Sequence, residues 1–451
     1  MPNLRTDTIP HLIWSFTLPT MIGTLANTLY VIIDRIFIGQ GVGAFALSGL
    51  ALTFPIINIL TAFSMLVSFG AASVTSLFLG SNDRRISLIL PNTLFLSLLT
   101  YAIIASVCLI FLDPILTSFG GSPQTIPYAK SYLQIIIPGH LLTSLSFSLS
   151  NIIRAAGNPS KSMRILLFGA ILNIFLDALF IFVFHLGICG AAYATVISML
   201  VSTVWALTFF FNNTNPLSFS NSHYRLDFQL MIRILSIGLA PFLLQLCNSL
   251  VNVVMNTSLQ LYGGDLAIGA FGIITSYISL IATIVVGLAQ GLQPIFGFNH
   301  GAGLRDRVNQ TLRLGIIIAT IITLIGWLFA MLMPMQIARC FNSTDEILIR
   351  TTANGLRFYC LMLGLTGFHI VVTNYYQSIG RPHLSIILTF ARQVLFLIPF
   401  MLALPSLLPP FLTPLNSLWL AQPASTICST LLALFFLYRF PSYPRSPIYS
   451  R

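Results

Sequence analysis

Arg154-Ala-Ala-Gly157-Asn-Pro159-Ser-Lys-Ser162 returns 223 residues later as Gln377-Ser-Ile-Gly380-Arg-Pro382-His-Leu-Ser385, with Gly, Pro and Ser all in register. A second pair, Gly80-Ser-Asn-Asp-Arg84 and Gly301-Ala-Gly-Leu-Arg305, lies 221 residues apart, and Pro19 is answered by Pro241. Echoes at a spacing of about half the chain mark an internal duplication, a common plan among membrane carriers. The polar motifs punctuate long apolar runs. Of the 451 residues, 56% are hydrophobic and 7% charged, against about 25% charged in a typical soluble domain. No soluble fold hides that much apolar surface, so the chain is predicted to be a polytopic, all-α integral membrane protein.

Spans of about 20 or more residues fall at 12–38, 45–79, 86–112, 127–156, 163–184, 189–211, 231–261, 266–299, 308–333, 347–379, 384–404 and 415–438, twelve transmembrane helices in all. The run 45–79 exceeds one bilayer width, and Pro55 offers it a bend. The polar stretch 212–229 divides the chain into an N-terminal lobe, 1–211, and a C-terminal lobe, 230–451. Six is an even number, so both lobes enter the membrane from the same side. They are expected to be parallel repeats about an axis along the membrane normal, flanking a central cleft.

The net charge of +11 comes from scattered rather than clustered basic residues, which argues against a nucleic-acid partner and fits topology instead. Fifteen Lys and Arg fall on the side shared by both termini and four (Arg35, Lys130, Arg339, Arg350) on the other, with Arg357 and Arg392 inside spans. Both termini are therefore expected in the cytoplasm. The polar start is short, and the first apolar run has full span length and no small-residue cleavage site, so no cleavable signal is expected. The six cysteines lack paired spacing for zinc, haem or redox chemistry and read as packing residues. Neither a Gly-x-Ser-x-Gly elbow nor a glycine-rich phosphate loop with lysine is present, which speaks against an enzyme and against an ATP-driven pump.

Ten residues are acidic, and two of them, Asp34 and Asp177, sit inside spans; Asp7, Asp83, Asp113, Asp227, Asp265, Asp306, Asp345 and Glu346 lie at segment ends or in connections. An ionisable group in hydrocarbon costs several kcal/mol and usually marks a proton relay, an ion site or a substrate path. Asn173 and Asp177 are four residues apart on one face of helix 5. The hairpin of helices 5 and 6 turns near Leu186, which puts Asp177 and Thr195, each nine residues from that tip, at similar depth. Asp34, about seven residues before the turn at Gln40 to Gly43, falls in the same half of the membrane. Asn27, Tyr30 and Asp34 share a stripe on helix 1. Two carboxylates in a poorly solvated cleft would hold a proton between them, and with Asn173 and Thr195 the same oxygens suit sodium. The alternative is that Asn173 and Thr195 bond helix backbones.

Pro19, Asp34-Arg-Ile-Phe-Ile-Gly39, Gly70-Ala-Ala-Ser, Arg154-Ala-Ala-Gly157-Asn-Pro159, Asn173-Ile-Phe-Leu-Asp177 and Gly190-Ala-Ala-Tyr-Ala-Thr195 resemble the multidrug and toxic compound extrusion (MATE) family, in its bacterial MepA-like or DinF-like branch. The resemblance runs through essentially the whole chain. It implies a secondary antiporter of the bacterial inner (plasma) membrane that exports organic, mostly cationic amphipathic compounds in exchange for protons or sodium. The family's N-lobe cation site maps onto Asp34, Asn173, Asp177 and Thr195, a sodium ion or a proton being the sole cofactor implied. The expected working unit is a monomer in membrane lipid. Some relatives carry acids in helices 7 and 10; here helix 7 reads Cys247-Asn-Ser-Leu-Val-Asn-Val-Val-Met-Asn256 and helix 10 has none.

Asn151 is a further pocket candidate, placed deeper than Asp177 and read chiefly as packing. Arg357 and Arg392 are read as helix–helix hydrogen-bond donors, with anion binding as the alternative, and His140 and His369 as packing residues. The competing function is flipping of a lipid-linked precursor. Its pyrophosphate would want several arginines in the cleft, and the chain offers at most Arg357 and Arg392.

Overall fold

The echoed motifs turn out to be helix stops. In the computed structural model, which describes residues 3–118, 123–211, 217–219, 225–341, 345–408 and 412–440, Gly157 and Gly380 take φ of +90° and +75°. In each turn the residue after the glycine donates to a carbonyl five positions back, Asn158 N to Ile153 O and Arg381 N to Tyr376 O. A left-handed residue closed by this bond is the Schellman ending, and Pro159 and Pro382 then open the next helix, where the missing N–H costs nothing. The second echo is the same device: Asn82 (φ +52°) and Gly303 (φ +74°) are followed by bonds from Asp83 N to Phe78 O and from Leu304 N to Asn299 O.

Between these stops run α1 Ile9–Gly41, α2 Ala44–Ser81, α3 Arg84–Ile110, α4 Ile126–Ala155, α5 Pro159–Val183 and α6 Gly187–Phe211. Phe228–Gly301 is one helical run of 74 residues. At 1.5 Å per residue it would measure about 110 Å, against a hydrocarbon core of about 30 Å. Gly264, at φ 64° and ψ −163°, breaks it into α7 (228–263) and α8 (265–301). Then follow α9 Arg305–Leu332, α10 (Glu346–Tyr359 and Leu363–Ser378, bent by 54°), α11 Pro382–Leu407 and α12 Pro414–Arg439. With the break at Gly264 and the bent pair counted as one crossing, the described residues form twelve transmembrane helices in two sets of six.

One expectation needs correction: α10, expected to be continuous over 347–379, breaks at 360–362 without a proline or glycine there. The run through Pro55 is one continuous helix, Ala44–Ser81. Most of the connection 212–229 and the terminal Arg445 and Arg451 lie outside the described residues.

Most of the acids outside the spans have local work. Asp83, Asp227 and Asp345 cap helix starts by accepting from Arg85 N, Leu230 N, and Ile347 N with Leu348 N. Asp113 pairs with Lys130 at 2.8 Å and Glu346 with Arg350 at 3.4 Å. Apolar side chains such as Ile103, Val204, Leu324 and Leu431 stand exposed where lipid would cover them.

Candidate functional site

Helices α1, α5 and α6 meet near the end away from the termini. Gly41 makes the approach close: a Cβ there would lie 2.3 Å from Ile181 Cγ2. Ile181 belongs to the π-helical turn Leu179–Val183, which begins two residues after Asp177. That wide turn ends α5 and is a common mark of functional positions.

The packing brings Asp34 (8% exposed) against Asp177 (0% exposed), with their carboxyl groups in hydrogen-bonding contact. Asn173, fully buried, bridges Asp177 to Thr195. With its amide nitrogen toward Asp177 Oδ2 (3.1 Å), its oxygen accepts from Thr195 Oγ1 (3.3 Å) and Thr195 N (3.3 Å). In the opposite orientation Asn173 Nδ2 donates to Thr195 Oγ1 at 3.3 Å and the oxygen faces Asp177. One oxygen of each carboxyl, Asp34 Oδ1 and Asp177 Oδ1, has no hydrogen-bond partner among the described residues. Neither carboxyl is in a salt bridge among these residues. Arg35 instead holds its guanidinium 4.4 Å from the centre of the Phe54 ring.

Two carboxyls in contact, screened from water, with two orphan oxygens, form a seat for one unit of positive charge. A shared proton satisfies them, and so does a small hard cation, since every donor (carboxyl, amide oxygen, hydroxyl) is oxygen.

The four residues expected to form the site therefore come together, and Tyr30, one turn along α1, lies within electrostatic reach of both carboxyls. Asn27 does not join: it is exposed, with no side-chain hydrogen bond among the described residues. Asn151 does not join either. It lies on α4 nineteen positions from Tyr132, about 28 Å along the axis. Tyr132, 5% exposed and within electrostatic reach of Asp34 and Asp177, is the member that sequence reasoning missed.

The two lobes touch closely at the opposite end. There α2 and α7 lie backbone to backbone: a Cβ on Gly238 would sit 1.7 Å from Leu66 O, and one on Gly70 would sit 1.9 Å from Ile234 O. Helix α8 meets α2 and α1 the same way at Gly301 and Gly291, and at Gly297 it lies against the Ser76 side chain. Arg154, counted from sequence as a topology signal, is 1% exposed in this closure, donating to Gln290 Oε1 (3.0 Å) and Gln293 Oε1 (3.4 Å) of the other lobe. Gln293 Nε2 in turn donates to Ser73 Oγ at 2.7 Å. The outermost cross-lobe hydrogen bond among the described residues joins Gln245 Nε2 to Asn58 Oδ1 (3.3 Å), near mid-span.

The family model MatE matches residues 19–179 and again 241–402, one match in each lobe. The chain belongs to the MatE family. It is 29% identical over 424 residues to the multidrug export protein MepA of Staphylococcus haemolyticus, covering 94% of this chain and 92% of that one. The MepA of Staphylococcus aureus is 26% identical over the same shares. Its fold matches a MATE crystal structure in complex with MaL6 at a TM-score of 0.89, with 24% identity and 97% of each chain covered. The fold also matches an outward-facing multidrug resistance MATE transporter at 0.88, with 24% identity, covering 97% of this chain and 96% of that one.

Proposed function

We propose that the protein is a multidrug exporter: a carrier that exchanges small organic, mainly cationic amphipathic compounds for protons or sodium by alternating access, with no bond made or broken. The single observation that carries this reading is the buried Asp34–Asp177 contact with its two orphan oxygens. The names of the MepA relatives support the substrate class. With the termini in the cytoplasm of a bacterial inner membrane, the closed end is cytoplasmic and the lobes are parted toward the outside. A cation entering from outside neutralises the pair and weakens the hold on cargo, and its release inside resets the carrier. For a cargo without net charge, one cation moving down 100 mV provides about 2.3 kcal/mol, enough for about a fiftyfold gradient. One-for-one exchange with a monovalent cationic cargo moves no net charge and draws on the ion's concentration gradient alone.

Asn173 is positioned to report the occupancy of the pair. An ionised Asp177 favours the amide nitrogen, whereas a protonated Asp177 or a sodium ion favours the amide oxygen. The test is efflux of a fluorescent organic cation from proteoliposomes of the purified protein, driven separately by a proton and by a sodium gradient. Efflux under neither gradient would refute the antiport.

Thr195→Ala is expected to weaken the ion's hold without stopping transport, because Thr195 supplies one neutral oxygen. Under sodium coupling, the sodium concentration for half-maximal efflux rises several-fold, about 1 kcal/mol. Under proton coupling the pH optimum moves. Unchanged ion and pH dependence would reduce Thr195 to packing.

A reporter fused after Arg451 is expected to read as cytoplasmic, from the fifteen-to-four asymmetry of basic residues. A periplasmic signal would invert the orientation and, with it, the assignment of the closed end.

A further inference from the structure

Arg392 stands half-buried in the second lobe, on the π-helical turn Ala391–Leu397 of α11. Its side chain makes one hydrogen bond among the described residues, from Nη1 to His369 Nδ1 at 3.4 Å. Arg392 therefore donates, and His369 accepts as a neutral ring with its proton on Nε2. No carboxylate pairs with Arg392 among those residues, although a guanidinium carries five donors and a charge that is costly to leave unmatched away from water.

Arg392 lines a small, partly open cavity of about 30 Å³ together with Tyr359, Thr366, Gln422 and Thr426, with Ile278 on its apolar side. Tyr359 and Thr426 spend their hydroxyl protons on Gln422 Oε1 (3.5 Å) and Gln422 O (2.9 Å), which leaves the Thr366 hydroxyl, the Gln422 amide N–H and the arginine as donors to the cavity. The cavity sits at the break in α10, so that Leu363 and Thr366, in the first turn of the half-helix Leu363–Ser378, face it. Half-helices that start inside a membrane protein turn their positive ends toward anionic groups. The size admits about one or two water-sized groups, which excludes a whole organic cargo and leaves room for a small anion or the tip of a carboxylate.

We propose that this cavity is an anion site, taking one monovalent anionic group on Arg392 with the Thr366 hydroxyl and the Gln422 amide as supporting donors. The group is either a free inorganic anion such as chloride or the carboxylate of a zwitterionic cargo. The two lobes then hold opposite charges, a carboxyl pair in the first and a guanidinium in the second, each beside a π-helical turn of the fifth helix of its repeat.

The test uses the purified full-length protein in a buffer of sulfate, a doubly charged anion with no carboxylate, titrated with radiolabelled chloride, with acetate as competitor. Saturable chloride binding displaced by acetate is expected. Arg392→Gln should weaken it about ten- to hundredfold, the worth of one or two charge-assisted hydrogen bonds. The double variant Gln422→Leu/Thr366→Val should weaken it several-fold, and this second arm stands even if Arg392→Gln does not fold. Arg357→Gln, at an exposed position outside the cavity, should bind as the parent does. The source of the anion is separated by efflux of a carboxylate-bearing dye and of its methyl ester without chloride. An Arg392→Gln effect on the acid alone assigns the anion to the cargo; an equal effect on both, with a changed chloride dependence, assigns it to the free ion. No saturable binding of chloride or acetate to the parent, or equal binding to Arg392→Gln, overturns the site and leaves a water-filled network.

Discussion

Asp177→Asn and Asp34→Asn are each expected to bring gradient-driven efflux down to background while membrane insertion stays near normal. An amide is close in shape to a carboxyl, and it removes a charge whose burial costs about 2.5–3.5 kcal/mol at a helix centre, so the folded protein loses little. What disappears is the shared seat. With one carboxyl the site no longer alternates between one and two negative charges, and ion and cargo no longer bias each other. Coupling energies of about 1–3 kcal/mol correspond to roughly 5- to 150-fold in affinity. Transport in both directions without a gradient, followed as exchange of labelled cargo, should persist in at least one variant. If both variants pump like the parent, the Asp34–Asp177 pair is not where the driving ion binds.

Gly238→Val is expected to produce the second large loss, by a different route. Any Cβ at this position meets Leu66 O at 1.7 Å, and the obstacle is backbone, so no rotamer relieves it. Helices α2 and α7 must part. Overpacking of this kind costs about 1–3 kcal/mol. Here that cost falls on the state closed at this end, not on the fold of either lobe. A cysteine placed at Ser76, which α8 covers at Gly297, should become labelled by an impermeant thiol reagent from the terminal side once the six native cysteines are replaced. Gly272→Ala is the control, because nothing lies within 4 Å of its added Cβ. Parental efflux and parental labelling in Gly238→Val would show that this contact does not hold the lobes together.

How far the chain could be read before folding is clear from individual residues. The Gly–x–Pro and Gly–x–x–x–Arg echoes were legible because a left-handed stop needs particular residues, and those mark helix ends directly. The Asn173–Asp177–Thr195 cluster was legible because a tight hairpin converts distance from its tip into depth. Tyr132 was not. A tyrosine in an apolar helix looks the same whether it faces lipid, packing or a carboxyl, and lipid removes the polar face that would fix the helix rotation. Asn27 stands exposed and Asn151 is buried away from the carboxyls, since a shared stripe or a shared helix says nothing of which neighbour arrives there. Arg154 was read as a surface charge because its partners Gln290 and Gln293 lie in the other lobe, some 136 and 139 positions along the chain.

The contact at Gly70 and Gly238 has a mechanical consequence. Interlocked side chains must change rotamer, or be lifted over one another, before two helices separate. Where Gly238 and Gly70 bring carbonyls against bare Cα atoms, the seam has no such teeth, only contacts that are individually weak. Its interlocked side chains, Phe63 against Phe242 and Ile234 beside Gly70, flank that stretch. The lobes can then part as whole bodies, and the brake on that motion falls to the few polar groups that must be rehydrated, chiefly Arg154 and Gln293. The pace of the transport cycle should therefore answer to changes in those two side chains more than to changes in the apolar residues around the seam.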